Sequence, residues 1–245
     1  YELHARLTVF KGNVITPDQV SFIALLESGE AICTGSLIDD YIVLTAGHCV
    51  CDVTPMSRAS FLAESMDFNT ELIIEGVKNV VHPYYQEECQ KSIADPSYSP
   101  DITAFDVSLM HLRSSPLINV KVKLANLDFN FRVPVGLKVC SLGYGKDNSE
   151  EFFKTGILKI GHIYVTECPV KYESDPICIL SNALNVQVTG TGDSGGPLYY
   201  PEFNGVLGSV SGKIYYPAPY DIEVTLYSRI SNLGDFLFAN IQNYL

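Results

Sequence analysis

Three short motifs carry residue types that together can break an acyl bond. In chain order, TAGHCV (45–50) supplies His48, FDVSLMHL (105–112) supplies Asp106 and GDSGGPL (192–198) supplies Ser194. A serine hydroxyl is a poor nucleophile at neutral pH unless a base removes its proton, and that base needs an orienting acid. The glycines beside Ser194 suit an oxyanion hole, because bare backbone N–H groups can approach a substrate carbonyl closely. The motifs therefore indicate nucleophilic catalysis by a serine.

Each of these residues also has a purely structural interpretation. A histidine after a strand is usually structural or exposed, an aspartate can cap a strand, and the serine's glycines suit a turn. Asp101 competes with Asp106 for the acidic role, but the apolar strand that follows Asp106 favours the latter. His82 and His111 suit the role of base less well than His48, since His82 stands at a strand-to-loop junction and His111 within a strand. The occurrence of all three motifs in one order favours catalysis.

The elements that position these motifs are mostly short strands. Eight segments are rich in Val, Ile, Leu, Tyr and Thr: 20–26, 41–47, 71–81, 107–112, 137–145, 157–165, 205–216 and 224–230. The polar stretch 82–101 holds three prolines and predicts a long surface loop. This pattern predicts an all-β body of two barrels or sandwiches. With the His, Asp, Ser order, it excludes a lipase or esterase, whose nucleophile lies between a strand and a helix.

Only the last segment of the chain has a strong helical period, and Ser231 can cap it. Its apolar face consists of Leu233, Phe236, Leu237, Ile241 and Leu245. We therefore expect a C-terminal helix.

Composition restricts the function classes further. The chain has 245 residues and a net charge of −12, which argues against nucleic acid, whose phosphates need clustered Lys and Arg. No apolar run approaches the ~18 residues of a membrane span, so we expect no membrane partner. Seven cysteines without zinc-ligand spacing indicate disulfides in a secreted domain, with at least one thiol left unpaired in a monomer. We expect no metal and no organic cofactor, because serine chemistry requires neither.

The motifs resemble those of the chymotrypsin family of serine proteases, from about Leu7 to the C-terminal helix. GDSGGPL is the most specific of them, and TAGHC differs from the usual family sequence at Gly47, where alanine is common. The resemblance implies that His48 acts as general base and acid and that Asp106 orients it. It implies that Ser194 attacks the scissile carbonyl.

The resemblance also implies the architecture. It predicts an all-β fold of two six-stranded antiparallel β-barrels of the chymotrypsin type with a C-terminal α-helix. An activation segment is expected at 1–6 and a peptidase domain at 7–245. Within that domain we expect the N-terminal barrel at about 7–118, the C-terminal barrel at about 119–230 and the helix at 231–245.

Further roles follow from the same resemblance. The backbone N–H groups of Gly192 and Ser194 would form the oxyanion hole. Ser211 matches the serine that borders the buried aspartate and begins the strand that pairs with substrate. The implied partners are protein or peptide substrates, an activating trypsin-like protease and protein inhibitors, and the implied location is extracellular.

Arg6-Leu7 resembles an activation site, although LTVF stands where IVGG is usual. Cleavage there would free an α-ammonium on Leu7, which would pair with Asp193 beside the nucleophile. A buried carboxylate needs such a partner, and the ion pair would set the oxyanion-hole backbone. Since Tyr1 to Arg6 are present in the chain, we expect an uncleaved zymogen with an immature oxyanion hole.

Three disulfides are implied by the resemblance or by loops that the fold would bring together: Cys33–Cys49, Cys168–Cys178 and Cys51–Cys89. Cys140 is left over and is expected to be a buried free thiol.

The specificity pocket departs from the trypsin-like pattern. Six positions before Ser194, where trypsin-like members carry an aspartate, stands Val188. The other residues expected to shape the pocket are Thr189, Ser211, Gly212, Lys213 and Thr225. Together they predict a narrowed, apolar site of the chymotrypsin or elastase kind.

Three alternatives stay open at the pocket and beyond it. Lys213 could attract acidic groups or block the cleft, and Glu223 or Asp221 could enter the pocket and restore specificity for basic residues. The chain could also be a catalytically silent homologue that acts as a binding or regulatory protein. The intact set of motifs argues against that class. The unusual pocket argues for it, as does Gly190, which stands where a pocket-bracing cysteine is common.

Overall fold

The structure is a computed structural model that describes residues 12–28, 31–50, 57–65, 72–95, 97–98, 101–102, 105–145, 156–181, 189–217, 219 and 221–241. In chain order its strands and helices are β1 (Asn13–Val14), β2 (Ile23–Ser28), β3 (Ala31–Asp39), β4 (Ile42–Thr45), β5 (Arg58–Phe61), β6 (Leu72–Val81), α1 (Pro83–Ala94), β7 (Ser108–Leu112), β8 (Asn126–Leu127), β9 (Lys138–Gly143), β10 (Lys159–Tyr164), β11 (Ile177–Leu180), β12 (Pro197–Tyr200), β13 (Gly205–Tyr216), β14 (Ile222–Arg229) and α2 (Gly234–Ile241). Among these, no helix is both long enough and apolar enough to cross a membrane.

The first barrel is closed by six strands in the order β2–β3–β4–β7–β6–β5. All neighbouring strands in it are antiparallel. Its interior is filled by buried apolar side chains, which include Leu26, Leu37, Phe61 and Met110. This burial of apolar surface is the main force that holds the barrel together.

The second barrel is built from an eight-stranded sheet. Its main path runs β1–β10–β9–β12–β13–β14–β11, and β8 pairs with β13 in parallel. The two ends of the six longer strands meet at an isolated bridge, where the Thr166 N–H donates to the Cys178 carbonyl at 2.9 Å. The two-barrel, mostly β fold with a C-terminal helix is therefore confirmed.

The strand predictions were correct but incomplete. Each of the eight predicted segments contains a strand, and β13 has the predicted bounds. The pattern missed β3, β5, β11 and β12, as well as the two-residue strands β1 and β8. β3 was missed because Thr34, Gly35 and Ser36 interrupt the apolar residues of AICTGSLID, although all its described interior positions are buried. Gly35 is required there, since a Cβ would lie 2.4 Å from Val43 Cγ1.

The prediction of a long loop over 82–101 was wrong, because α1 occupies most of it. Pro83 stands in the first turn, where a helix tolerates proline. The buried face consists of Tyr85, Glu88 and Cys89, which follow helical spacing. The middle residue of that face is charged, so the sequence shows no apolar period.

The C-terminal helix is confirmed with a different start. Ser231 does not cap it but lies in a 3₁₀ turn, Ile230–Asn232, and α2 begins at Gly234. Leu233, Phe236 and Leu237 are buried, as the periodicity predicted. They pack into the same core cluster as Leu142 and Tyr144 and so attach the chain end to the barrels.

Two disulfides join described cysteines, Cys33–Cys49 and Cys168–Cys178. Cys89 is also disulfide-bonded, while its expected partner Cys51 lies outside the described residues. Cys140 is a free thiol buried in the core, and burial raises the pKa of this thiol.

Replacing Cys33 and Cys49 together with alanine should lower the free energy of unfolding by about 3 kcal/mol. The bond closes a loop with a sequence separation of 16 residues, and its loss restores entropy to the unfolded chain. Denaturant unfolding measures the change, with Cys140→Ala as the control that removes a buried sulfur without opening a loop. Equal losses in the two proteins would contradict a specific role for the disulfide.

Candidate active site

His48 and Asp106 meet because the two strands that carry them are neighbours. His48 follows β4 and Asp106 precedes β7, and Thr45 lies opposite Ser108 in this antiparallel pair. The His48 Nδ1 atom is 2.6 Å from Asp106 Oδ2, and the His48 backbone N–H donates to Asp106 Oδ1 at 2.8 Å. The Asp106 side chain is fully buried, whereas that of His48 is 30% exposed. A carboxylate at Nδ1 fixes the ring and its tautomer, which leaves Nε2 as the basic nitrogen.

The second barrel holds the same carboxylate from its other side. Ser211, on β13, places its Oγ 2.7 Å from Asp106 Oδ2 and 2.7 Å from the Ile102 carbonyl oxygen. Ser228, on β14, donates to the Asp106 carbonyl at 3.3 Å. Asp101 is exposed and is held through its backbone N–H by Glu88. The structure therefore brings Asp106 to His48 and ties it to both barrels.

Replacing Ser211 with alanine should lower kcat/KM of the activated protein by about tenfold or more. A hydrogen bond to a charged acceptor contributes about 1.5–3 kcal/mol, and its loss would let the carboxylate turn away from His48. Ser228→Ala is the matched control, since that hydroxyl binds the neutral carbonyl of Asp106. Steady-state kinetics on one peptide substrate should show a clearly smaller loss in the control. Equal losses would contradict an effect through the carboxylate.

The glycine before His48 is explained by α1. A Cβ on Gly47 would lie 2.5 Å from Tyr85 Cδ1 and 3.0 Å from Asp106 Oδ1. Tyr85 is fully buried and occupies the space that an alanine methyl would need. Glycine thus replaces the alanine that is usual before the histidine because the Tyr85 ring fills the space of the alanine methyl group. This contact packs α1 directly behind the candidate base, His48.

The GDSGGPL loop (192–198), which carries the candidate nucleophile Ser194, packs against the first barrel. Gly195 has φ +79°, and a Cβ there would lie 2.1 Å from Thr45 Oγ1, so glycine is required both for the turn and for the close approach. The Gly195 N–H donates to the Val210 carbonyl at 2.8 Å, which fixes the loop to β13. Ser194 itself is half-buried at this junction.

Thr34 was missed by sequence reasoning, although it organises the same loop. Its N–H donates to the Ser194 carbonyl at 2.8 Å and its Oγ1 donates to the Gly192 carbonyl at 2.8 Å. The same Oγ1 accepts from the Tyr144 N–H at 3.1 Å. A threonine within a strand gives no signal for such a role, because its partner Gly192 lies 158 residues away.

Asp193 is fully buried directly beside Ser194. Its two carboxylate oxygens accept hydrogen bonds from the Gly145 and Gly190 N–H groups, each at 2.7 Å. A Cβ on Gly143 or Gly145 would lie 2.1 Å or 2.4 Å from these oxygens, so both glycines make room for the carboxylate. The predicted activation residues Arg6 and Leu7 lie outside the described residues.

Of the residues predicted to shape the specificity pocket, two threonines lie in contact in the interior. Thr189 and Thr225 are buried together, with hydroxyl oxygens 3.4 Å apart, and Thr225 Oγ1 lies 2.6 Å from Ser181 Oγ. Lys213 stands opposite Thr225 in the β13–β14 register. Val188 lies outside the described residues.

The charged residues near the pocket bind one another or a neighbour. Lys213 Nζ lies 3.1 Å from Glu223 Oε1, and both side chains are at least two-thirds buried. The Asp221 carboxylate accepts a hydrogen bond from the Tyr215 hydroxyl. Gly212 is covered by Ile102, whose Cδ1 would lie 2.6 Å from a Cβ at that position.

Known proteins share both the sequence and the fold. The Trypsin family model matches residues 9–237. The cercarial protease of Schistosoma mansoni is 33% identical over 232 residues, which cover 92% of this chain and 86% of that protein. Mouse neuropsin, a serine protease, superposes with a TM-score of 0.73 at 23% identity, covering 95% of this chain and 99% of that one.

The same fold also occurs in a protein described as inactive. The scabies mite inactivated protease paralogue S-I1 superposes with a TM-score of 0.71 at 20% identity, over 95% of this chain and 99% of that one. At this identity the likeness shows the fold alone. Because the family model spans nearly the whole chain and the relative in S. mansoni exceeds 30% identity, the chain belongs to the trypsin family of serine proteases.

Proposed function

We propose that this protein is a secreted serine endopeptidase that cuts peptide bonds with His48, Asp106 and Ser194. The observation that carries the proposal is the 2.6 Å contact between His48 Nδ1 and the buried Asp106 Oδ2. The next residue, Cys49, places its Sγ 3.8 Å from the carbonyl oxygen of Ser194 in the GDSGGPL loop. Its disulfides support an extracellular location, since such bonds persist in oxidising compartments.

In the proposed reaction, Ser194 Oγ attacks the scissile carbonyl while His48 Nε2 takes its proton. The resulting imidazolium is stabilised by Asp106 and gives the proton to the leaving amine. The Gly192 and Ser194 N–H groups bind the oxyanion, and one such donor contributes about 2.7–4 kcal/mol to the barrier reduction. Water, activated by the same histidine, then hydrolyses the acyl-enzyme.

Activation is proposed to follow cleavage after Arg6. The new Leu7 ammonium would bind the Asp193 carboxylate, which already holds the Gly190 and Gly145 backbones. Since Gly190 precedes the oxyanion-hole glycine by two residues, an ion pair at Asp193 can adjust the hole through this loop.

The proposed specificity is for apolar residues before the scissile bond. Thr189 and Thr225 are buried with their hydroxyl oxygens 3.4 Å apart, and branched side chains at these two expected pocket positions would narrow the pocket. Glu223 is engaged by Lys213 at 3.1 Å, so it offers no unpaired anion to a substrate Arg or Lys. This pairing favours the apolar site over the trypsin-like alternative.

Substrate-library profiling of the Arg6-cleaved protein tests this specificity. We expect cleavage after apolar residues, and preferred cleavage after Arg or Lys would overturn the apolar assignment in favour of Glu223 or Asp221. A fluorophosphonate probe, with Ser194→Ala as control, tests whether the protein is an enzyme at all. A folded, cleaved protein that is not labelled would indicate the silent homologue.

A further inference from the structure

Helix α1 contains a buried carboxylate that the proposed chemistry does not use. Glu88 is 7% exposed. Its Oε1 accepts from Lys91 Nζ at 2.6 Å, and its Oε2 accepts from the Tyr98 hydroxyl at 2.5 Å and from the Asp101 N–H at 2.9 Å. Burial raises the pKa of Glu88, but these three hydrogen bonds outweigh it and lower the pKa to about 2. The side chain is therefore charged at any working pH.

The hydrogen bonds of Glu88 lead directly to the substrate cleft. Asp101, which it holds, is followed by Ile102, whose carbonyl oxygen lies 2.7 Å from Ser211 Oγ. The side chain of Ile102 covers Gly212 and packs against the apolar cluster that includes Ile214. Ser211 and Gly212 begin the segment of β13 assigned above to substrate pairing. The position of Ile102 therefore affects the shape of the cleft wall next to Ser211 and Gly212.

The hydrogen bonds from Tyr98 and Asp101 to Glu88, called the anchor below, are separate from the packing of the rest of the helix. Tyr85 holds α1 against Gly47 through apolar contact, whereas Glu88 reaches across to the following segment. Lys91 is 53% exposed and forms an ion pair with Glu88 from the solvent side of the helix. Since Tyr98 and Asp101 donate to the same oxygen, loss of this carboxylate releases both attachment points together.

We propose that Glu88 is a positioning residue for extended peptide substrates. By holding Asp101 and Tyr98, it sets Ile102 against Gly212 and so shapes the subsites for residues that precede the scissile bond. The inference rests on the proposed protease function and deepens it, because it names a determinant of substrate length and register. Glu88 does not touch the reacting atoms.

The test compares short and extended substrates in the Arg6-cleaved protein. Wild type, Glu88→Ala and Glu88→Gln are assayed on a single-residue ester and on a four-residue anilide with the same residue before the scissile bond. Glu88→Ala should lower kcat/KM for the anilide about tenfold or more relative to the ester, since small misplacement at a distance can cost ~100-fold. Glu88→Gln keeps one oxygen acceptor, so its loss of kcat/KM on the anilide should be smaller than that of Glu88→Ala. Fluorophosphonate labelling of Ser194 should stay close to the wild-type rate.

Glu87→Gln is the matched control. Glu87 is exposed on the same helix, so this variant makes the same charge change as Glu88→Gln without removing a hydrogen bond of Glu88 and should behave as wild type. An equal loss on both substrates, or no loss on either, would overturn the proposal. If thermal melting shows that Glu88→Ala does not fold, Tyr98→Phe removes one donor and should shift the same ratio in the same direction; an unchanged ratio would overturn it.

Hydrogen exchange separates this inference from the proposed function. Glu88→Ala should speed amide exchange in the peptide that carries Asp101, relative to Glu87→Gln, whether or not the protein is catalytic. A wild-type protein that neither cleaves nor labels contradicts the protease proposal, and unchanged exchange contradicts the anchor.

Discussion

Replacing Ser194 with alanine should lower kcat of the activated protein by about 10⁶-fold. The methyl group cannot attack a carbonyl, and loss of the nucleophile in enzymes of this mechanism removes nearly all catalysis that depends on the triad. Residual turnover should come from the oxyanion hole and substrate binding alone. The measurement is kcat on a peptide anilide, with a thermal melt to show an unchanged fold. Activity within tenfold of wild type would contradict Ser194 as the nucleophile.

Asp106→Asn should complement this result with a loss of about 10⁴-fold. The amide oxygen would accept from the His48 backbone N–H, as Asp106 Oδ1 does now. The amide nitrogen would then face His48 Nδ1 and donate to it, which leaves the proton on Nε2 and removes the base. Asp101→Asn is the matched control, because Asp101 is exposed and held by its backbone. A larger loss in the control would reassign the acidic role to Asp101.

Removing the proposed activation switch should also have a large effect. Arg6→Gln should resist a trypsin-like activator and show no onset of activity, while Asp193→Asn should be cleaved but remain impaired by about 10²–10³-fold. That factor corresponds to loss of one oxyanion-hole donor. N-terminal sequencing and peptidase assays on the same samples separate the two steps. Activity that appears without a new Leu7 terminus would contradict the switch.

The activated protein should also lose activity at alkaline pH. An α-amino group has a pKa of about 7.7–8.0 in model peptides, and the proposed pairing with Asp193 would raise the pKa of the Leu7 ammonium in the folded state. The stabilising charge is therefore fully present below the unfolded value and is lost as pH rises through the raised folded value. A pH profile of kcat/KM measures this, and constant activity to about pH 11 would contradict the ion pair.

The misses in the strand and helix predictions have a common cause. β3 and α1 bury polar residues, Thr34 and Glu88, on faces that a hydrophobic pattern expects to be apolar. Thr34 is satisfied by Gly192, 158 residues away. Glu88 is satisfied by Lys91 in the same helix and by Tyr98 and Asp101 in the segment that follows. A hydrophobic pattern counts only apolar periodicity, so it left β3 unassigned and predicted a loop in place of α1.

The pocket shows the same limit at the functional level. Lys213 and Glu223 were each weighed separately as a possible determinant of specificity, but they form an ion pair across β13 and β14. Their spacing of ten residues becomes a contact only when the strands pair.

The sequence by itself determined the family and the general architecture, and it predicted the chemistry. The backbone turn around Ser194 and the position of His48 depend mainly on neighbouring residues. A short motif such as GDSGGPL is therefore enough to identify each of them in the sequence. Only the tertiary structure decided which aspartate reaches His48, how Thr34 holds the GDSGGPL loop and how Glu88 holds Tyr98 and Asp101. The contact between Thr34 and Gly192 alone spans 158 positions. The free energy of each such contact depends on burial and direction, which exist only once the two barrels and α1 have packed.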